Sequence, residues 1–163
     1  MANIRERKPL PQAFRMLSTQ AIMLHQAVAD MLKLNITDYK CMDLIARLGP
    51  MTAGRLAEES GLTTGAITGV VDRLERAGYV KRTDNPKDRR SVIIELTLDK
   101  RKRKEYEEIF LPLERKLEKQ ASSYTSEELS RFIEFIHKTA EILHEETIRL
   151  TRNRTISPGN DAL

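Results

Sequence analysis

The residues best suited to chemistry in this chain are the cations of segment 81–90. Five cations stand against two acids there, a charge of 5 − 2 = +3 within ten residues. The cations are Lys81, Arg82, Lys87, Arg89 and Arg90. Cationic side chains at a loop tip can neutralise phosphates or enter the minor groove of DNA. We expect Asp88 to orient one of the arginines through a carboxylate–guanidinium pair. A solvated charged turn is the alternative, and the commoner role of charge runs in general.

A helix predicted just before this segment would present small and hydroxylated residues on one face. The apolar residues from Ile67 to Leu74 occupy its other face. The outward set, with the cap that precedes the helix, is Thr63, Thr64, Gly65, Ala66, Thr68, Gly69 and Arg73. Small residues let a backbone approach a DNA groove closely, and threonines can contact phosphates or base edges. Each glycine costs about 1 kcal/mol relative to alanine in an ordinary helix, which argues against a plain surface helix.

The local signals around this helix predict a helix-turn-helix followed by a hairpin. Thr52 and Thr63 are candidate N-caps of two successive helices, which Gly61 and Gly78 would end. An earlier helix is predicted to follow a cap at Thr37. Period-two alternation over 92–96 predicts a strand whose partner is 79–83. In a helix-turn-helix, the second helix lies in a DNA major groove.

Long amphipathic helices are predicted on both sides of this central part. Heptad stripes run from Phe14 to Met31 and from Leu129 to Leu150, and a shorter stripe joins Tyr106 to Leu117. We expect the long stripes to bury against a second copy of the chain, with an intramolecular bundle as the alternative. The predicted fold is mainly α with a small β-hairpin (α+β): a winged helix-turn-helix lobe plus a long-helix dimerisation region. The expected units are a dimerisation helix at 1–36, the DNA-binding lobe at 37–98, dimerisation helices at 99–150 and a disordered tail at 151–163.

Composition restricts the class of protein further. The 163 residues carry 28 basic and 24 acidic side chains, a net charge of +4, and a single cysteine. One cysteine excludes an intrachain disulfide framework and fits a reducing compartment, so we expect a cytoplasmic protein. The sequence has no apolar run of about 20 residues, signal-peptide pattern, P-loop, HExxH or nucleophile elbow. We therefore expect neither an enzyme nor a cofactor. His137, Glu141 and His144 share a helical edge, but a solvated edge is favoured over a metal site.

The stretch Asn85-Pro86-Lys87-Asp88-Arg89-Arg90, continued by residues 91–97, resembles the signature of the MarR family of winged helix-turn-helix regulators. Residues 72–75 and Ala77-Gly78 before it are similar to the end of that family's recognition helix. The resemblance covers about residues 10–150. It implies a homodimer with interlocked terminal helices, Arg90 as the wing arginine in the minor groove, and repression relieved by a small ligand or an oxidant.

The resemblance also implies an effector pocket between the dimerisation helices and the DNA-binding lobe. We expect an apolar or aromatic small molecule there, at positions such as Met16, His25, Tyr39 and Met42. Two alternatives stay open: a thiol-redox regulator acting through Cys41, and a winged helix that binds another protein instead of DNA. Cys41 is better interpreted as a buried structural residue.

A basic run at 100–104 opens the next predicted helix. Cations near a helix N-terminus oppose the macrodipole, so local stability does not explain the run. Phosphate contact and simple solvation are equally good explanations at this point.

Overall fold

The computed structural model describes residues 9–88, 90–97 and 99–156, with the backbone alone for Lys100 and 152–156. Six helices and three short strands make up this part of the chain. In order, they are α1 (Pro9–Met31), α2 (Ile36–Leu48), β1 (Met51–Thr52), α3 (Ala53–Ser60), α4 (Thr64–Arg76), β2 (Val80–Asp84), β3 (Val92–Leu96), α5 (Lys100–Ala121) and α6 (Ser126–Ile156). The prediction of a mainly helical fold with a small sheet is confirmed.

Side-chain caps begin the short helices. The hydroxyl of Thr52 accepts from the Arg55 amide at 3.2 Å, and that of Thr63 accepts from the Ala66 amide at 3.2 Å. Gly61, at φ +69°, ends α3 in the left-handed conformation that glycine adopts most easily. These three predictions are confirmed.

The predicted cap of α2 is wrong. Asn35, not Thr37, caps this helix, and its Oδ1 accepts from the Asp38 amide at 2.9 Å. The Asn35 carboxamide also donates from Nδ2 to the Asp38 carboxylate at 2.7 Å, a contact that a threonine hydroxyl is too short to duplicate. Asparagine ranks with serine and aspartate among the best caps, so the helix starts one residue after it.

The sheet is antiparallel with strand order β1-β3-β2. β2 pairs with β3 from Val80 opposite Leu96 to Asp84 opposite Val92, one residue later than predicted for the first strand. β1 has two residues, with Met51 opposite Ile94, and is too short to produce a period in the sequence. It joins the entrance of α3 to the base of the hairpin.

The core lies in the central lobe. The end of α1 contributes Val28 and Ala29, and Leu32 follows just after it. Most other fully buried apolar residues belong to α2, α3, α4 and the strands. α5 adds half-buried side chains at Tyr106, Ile109 and Phe110. α6 extends past its predicted end at Leu150 to Ile156, so the first part of the predicted tail is helical; residues 157–163 lie outside the described part. No helix in the described ranges combines the length and apolarity needed to cross a membrane.

Candidate nucleic-acid interface

α4 turns a polar face of small residues away from the core. Ile67, Val70, Val71 and Leu74 are buried on its inner side. The predicted residues on its outer side are exposed at Thr63, Thr64, Gly65, Ala66 and Thr68, and Gly69 is half-exposed. The Thr68 hydroxyl donates to the Thr64 carbonyl at 3.1 Å, so its oxygen remains able to accept. The structure thus brings the six predicted N-terminal residues together on one open surface.

Gly65 has no packing reason to be a glycine. A Cβ built on it would meet no atom within 4 Å, whereas one on Gly69 would lie 3.4 Å from Nη1 of Arg73. The φ angle of Gly65 is also not positive, unlike those of Gly49, Gly61 and Gly78, so the backbone conformation does not require a glycine. The bare backbone at the start of α4 is therefore open to a molecule from outside the chain.

Arg73 has an intramolecular partner that the sequence did not indicate. Its Nε and Nη2 donate to the two carboxylate oxygens of Asp38 at 2.8 and 2.7 Å. Asp38 is 2% exposed, so the pair ties α4 to the start of α2. The pKa of the guanidinium lies above its ordinary value, first because of this hydrogen bond. Arg73 therefore packs α4 against α2, and its charge is already paired within the chain.

The hairpin is bound to α4 through a second arginine. Arg82 on β2 pairs with Glu75 and, at 2.5 Å, with Asp72, and its amide donates to Glu75 at 3.0 Å. Lys81 pairs with Glu95 across the strands at 2.7 Å. Two of the five cations counted in segment 81–90, Lys81 and Arg82, are thus paired with acids. All three of these acids lie outside the segment, so the charge count within it did not include them. The charge offered to a partner is concentrated at the hairpin tip.

Hydrogen bonds between residues close in sequence shape that tip. Asn85 Oδ1 accepts from the Lys87 amide at 3.0 Å, and its Nδ2 donates to the Ser91 hydroxyl at 2.8 Å. Asp88 Oδ1 accepts from the backbone amide of Arg90 at 3.0 Å. The expected carboxylate–guanidinium pair is therefore not what Asp88 makes with Arg90, because the carboxylate is used to close the turn. Lys87 and Arg90 are exposed, and Arg89 lies outside the described residues.

The basic run that opens α5 divides into different environments. Arg101 and Lys104 face Glu105 and Glu108 one turn on, at 3.7 and 3.6 Å. Lys102 instead reaches back to the end of α4, where its Nζ donates to the carbonyls of Ala77 and Gly78. For Lys102, neither solvation nor phosphate contact describes the observed geometry.

The four residues predicted for an effector pocket lie in different environments in the described structure. The rings of His25 and Tyr39 are in contact at a tilt of 43°, with their centroids 5.9 Å apart. Met42 is buried and lines a separate space of about 230 Å³ with Leu96 and Tyr106. Met16 lies nine residues before His25 on α1, about 13 Å along the helix axis, and is 66% exposed. Nine residues of α-helix also turn Met16 to the side of α1 opposite His25, so the two side chains do not share a face.

A larger groove lies where α6 passes α2 and α3. Its volume is about 420 Å³, and apolar side chains supply much of its wall, with Lys40, Glu59 and His144 at polar positions. The remaining lining residues are Ile36, Thr37, Cys41, Leu44, Ser60, Leu62 and Thr147. The groove therefore has walls from the central lobe and from α6, and none of the four predicted residues lines it.

Cys41 is buried beside this groove. The pKa of its thiol is raised to about 11, first by burial and then by the nearby Asp38, while Arg73 opposes the shift. A thiol that stays protonated is a poor nucleophile and a poor redox sensor. The described residues also contain no group of three His, Cys, Asp or Glu side chains placed to hold a metal ion.

Comparison with known proteins agrees with this geometry. The model of the MarR family matches residues 34–92. The uncharacterized HTH-type transcriptional regulator YcgE of Bacillus subtilis (strain 168) is 44% identical over 144 residues, covering 88% of this chain and 92% of the relative. A MarR family protein from Bacillus stearothermophilus has a similar fold, with a TM-score of 0.64 at 21% identity over 88% of this chain and 99% of that one.

A crystal structure of a mutant MarR from E. coli complexed with operator DNA is also similar, with a TM-score of 0.55 at 22% identity over 85% of this chain and 99% of that one. The helix caps and the hairpin fit a winged helix-turn-helix, and the similarity to YcgE extends over 88% of the chain. It belongs to the MarR family of winged helix-turn-helix transcriptional regulators, which bind DNA and are not enzymes.

Proposed function

We propose that the protein is a sequence-specific repressor that binds a pseudo-palindromic operator as a homodimer and leaves it when a small molecule binds. The observation that carries the DNA-binding part is the open face of α4 beside the cationic hairpin tip. Arg82 joins the two through Asp72 and Glu75, so helix and wing present one continuous surface. A helix in the major groove and a cationic tip in the adjacent minor groove fit that surface.

The homodimer is supported by apolar side chains that one copy leaves exposed. They lie on the two terminal helices, including Leu17, Ile22, Met23 and Met31 on α1 and Phe132, Ile133, Ile136, Leu143 and Leu150 on α6. A set this large on a monomer normally marks a protein interface. Light scattering at micromolar concentration is expected to give twice 18.7 kDa, and a species of 18.7 kDa alone would contradict the proposal.

The operator follows from the two-fold symmetry of such a dimer. Two α4 helices should read half-sites about 10–10.5 base pairs apart, so the site should be an imperfect palindrome. A dimer bound over a promoter would compete with polymerase, which is the basis for proposing repression. Footprinting on the DNA that flanks the protein's own gene tests this, and protection without any repeated half-site would exclude the symmetric dimer model.

The effector is proposed to bind in the groove between α6 and the lobe, where its lining joins both parts. A ligand can weaken DNA binding only if it prefers a state in which the α4 helices are misplaced. Thr37→Trp would fill the groove from its exposed edge and should abolish release by an active compound found in a gel-shift screen of small aromatic molecules. Ser123→Trp, between α5 and α6, is the control. Unchanged release by Thr37→Trp would place the effector elsewhere.

The rival functions have weaker support. The high pKa of Cys41 disfavours a thiol-redox switch, and the open glycine of α4 has no purpose in a winged helix that binds only protein. A regulator of transcription acts where the chromosome lies, so we place the protein in the cytoplasm.

A further inference from the structure

The turn that ends α4 leaves particular carbonyl groups without a helical partner. Gly78, at φ +72°, closes a Schellman turn: its amide donates to the Glu75 carbonyl and the Tyr79 amide to the Leu74 carbonyl, both at 2.9 Å. The Ala77 amide donates to Arg73 at 2.9 Å. These bonds satisfy carbonyls within the last helical turn but not those of residues 77 and 78 themselves.

Lys102 supplies the donors for those two oxygens. Its Nζ donates to the carbonyl of Ala77 and, at 3.1 Å, to that of Gly78. The same ammonium lies 4.5 Å from the centroid of the Tyr79 ring, within the range of a cation–π contact. Three successive residues of the turn are therefore held by one side chain from α5. A cation at this end of α4 also complements the negative pole of the helix dipole.

Other long-range bonds reach the same turn. The Thr97 amide, at the end of the hairpin, donates to the Tyr79 carbonyl at 3.0 Å. The buried Tyr79 hydroxyl donates to the Leu32 carbonyl just after α1 at 3.1 Å. The turn is thus the place where α1, α5 and the wing all attach to the end of α4.

The position of Lys102 in its own helix points the same way. It stands in the first turn of α5, which has no acidic residue and where a cation is unfavourable. Asp99 caps that turn by accepting from the Lys102 amide at 2.7 Å, which fixes the backbone from which the side chain departs. The benefit of a lysine here arises in the contact with α4 and not within α5.

We propose that Lys102 is a positioning residue that clamps the C-terminal end of α4 to α5 and so sets the angle of the DNA-reading helix relative to the dimerisation helices. The inference rests on the proposed function of α4. It differs from a phosphate contact because the ammonium is directed at the protein's own carbonyls. It gives the dimer helices a direct mechanical connection to the DNA-reading surface, along which an effector-induced shift of α5 would travel.

The experiment compares Lys102→Met with Lys104→Met. Both remove one cation from the same basic run, but Lys104 faces only Glu108 one turn on in the described structure. Affinities are measured by fluorescence anisotropy on operator DNA and on random DNA of equal length, at several salt concentrations. Lys102→Met should lose about tenfold on the operator and less than about threefold on random DNA, because a misaligned helix loses sequence reading before phosphate contacts. Lys104→Met should resemble wild type.

The salt dependence separates the clamp from a phosphate contact. A clamp leaves the slope of log K against log salt as in wild type, and Lys102→Arg should recover most of the operator affinity. Loss of one phosphate contact per protomer would make the slope shallower by about 2 and weaken both DNAs alike. That outcome, or a Lys102→Met protein indistinguishable from Lys104→Met, would overturn the inference.

Amide hydrogen exchange of residues 77–79 tests the clamp without DNA. Lys102→Met should accelerate exchange in this turn by about tenfold or more relative to Lys104→Met, while core amides of α2 stay protected. Unchanged exchange in the turn would overturn the clamp even if DNA affinity fell. A wild-type protein that binds operator and random DNA equally would refute sequence-specific binding, and the exchange experiment would still decide the role of Lys102.

Discussion

Arg73 on α4 donates two hydrogen bonds to the carboxylate of Asp38 on α2, at 2.8 and 2.7 Å. The acid is buried and the arginine side chain is 47% exposed, so the pair lies at the edge of the core. It fixes the last turn of α4, Arg82 binds the outer side of the same helix, and Lys102 binds the turn that follows it. α4 is thus held by three cations, of which the sequence pattern assigned Arg73 to DNA and left phosphate contact open for Lys102.

Arg73→Met should therefore destabilise the fold. It leaves a buried carboxylate with the Asn35 carboxamide, at 2.7 Å, as its remaining hydrogen-bond donor in the described structure. Removing one partner of a buried pair typically costs 3–5 kcal/mol. Because Arg73 is partly exposed, we expect roughly 2–3 kcal/mol in urea unfolding. Arg76→Met, an exposed position on the same helix, is the control and should change stability by less than about 0.5 kcal/mol. Equal stability of both variants would show that the pair contributes nothing.

Arg90→Ala should weaken operator binding by about 1–3 kcal/mol per protomer and leave the dimer intact. Arg90 is exposed at the hairpin tip, and its backbone alone is held by Asp88. Operator affinity should fall more than affinity for random DNA if groove width is read there. Gel shifts on both DNAs measure this, with Lys119→Ala at the far end of α5 as control. Unchanged operator affinity would remove the wing from the interface.

The salt dependence of wild-type binding should show that Arg73 is not a free cation. With Lys87, Arg89 and Arg90 as contacts, a dimer neutralises about six phosphates, and log K should fall with log salt at a slope near −5. Including Arg73 would raise the count to about eight and the slope to near −7. Titration of operator DNA between 50 and 300 mM salt, roughly the range in which such slopes are measured, separates the two values.

Gly65→Ala should preserve the fold and damage DNA binding. A Cβ there meets nothing within the chain, and alanine favours a helix, so the melting temperature should stay equal or rise. Operator affinity should fall at least about tenfold if the backbone approaches the groove. Gly54→Ala is the matched control, since Gly54 also stands two residues after a threonine cap, and a Cβ there would meet Thr52 Oγ1 at an ordinary contact distance of 4.0 Å. Full operator affinity in Gly65→Ala would place the DNA elsewhere on α4.

Cys41 should be inert toward thiol reagents in the native protein. With a pKa of about 11, fewer than about one thiol in a thousand is ionised at pH 7.5, and the side chain is buried. Labelling by iodoacetamide should be slow until urea is added, and Cys41→Ser should keep its response to the effector. Rapid native labelling together with an inducer-blind Cys41→Ser protein would restore the thiol-redox alternative.

His25 should make the fold less stable in mild acid. Burial lowers its pKa below the ordinary 6.5, Lys40 and Arg47 lower it further, and Asp43 opposes them. The unfolded chain therefore binds the proton first, and stability is lost as the pH falls from about 6.5 toward the folded pKa. His25→Phe keeps a ring against Tyr39 and cannot titrate, so it should lose less unfolding free energy between pH 7.5 and 5.5. Parallel urea curves at both pH values test this.

Local patterns in the sequence were enough to predict most elements of the fold. Threonine caps at 52 and 63, the glycine at 61 and the alternation over 92–96 all act within a few residues, so their effect can be inferred without knowing the tertiary structure. The open face of α4 follows from helical periodicity in the same way. The two-residue strand β1 was not predicted, because it forms only by pairing with Ile93 and Ile94.

The sequence by itself determined a helix-turn-helix with a basic hairpin between long apolar helices, because these depend on short-range periodicity and capping. Only the tertiary structure decided which cations are available for DNA. Arg73 meets an acid 35 positions away, and Lys102 meets carbonyls 24 and 25 positions away. Charge counting along the chain treats such residues as solvent-exposed. Folding brings the distant acid and the helix end within hydrogen-bond distance, and this long-range geometry makes Arg73 and Lys102 supports of α4.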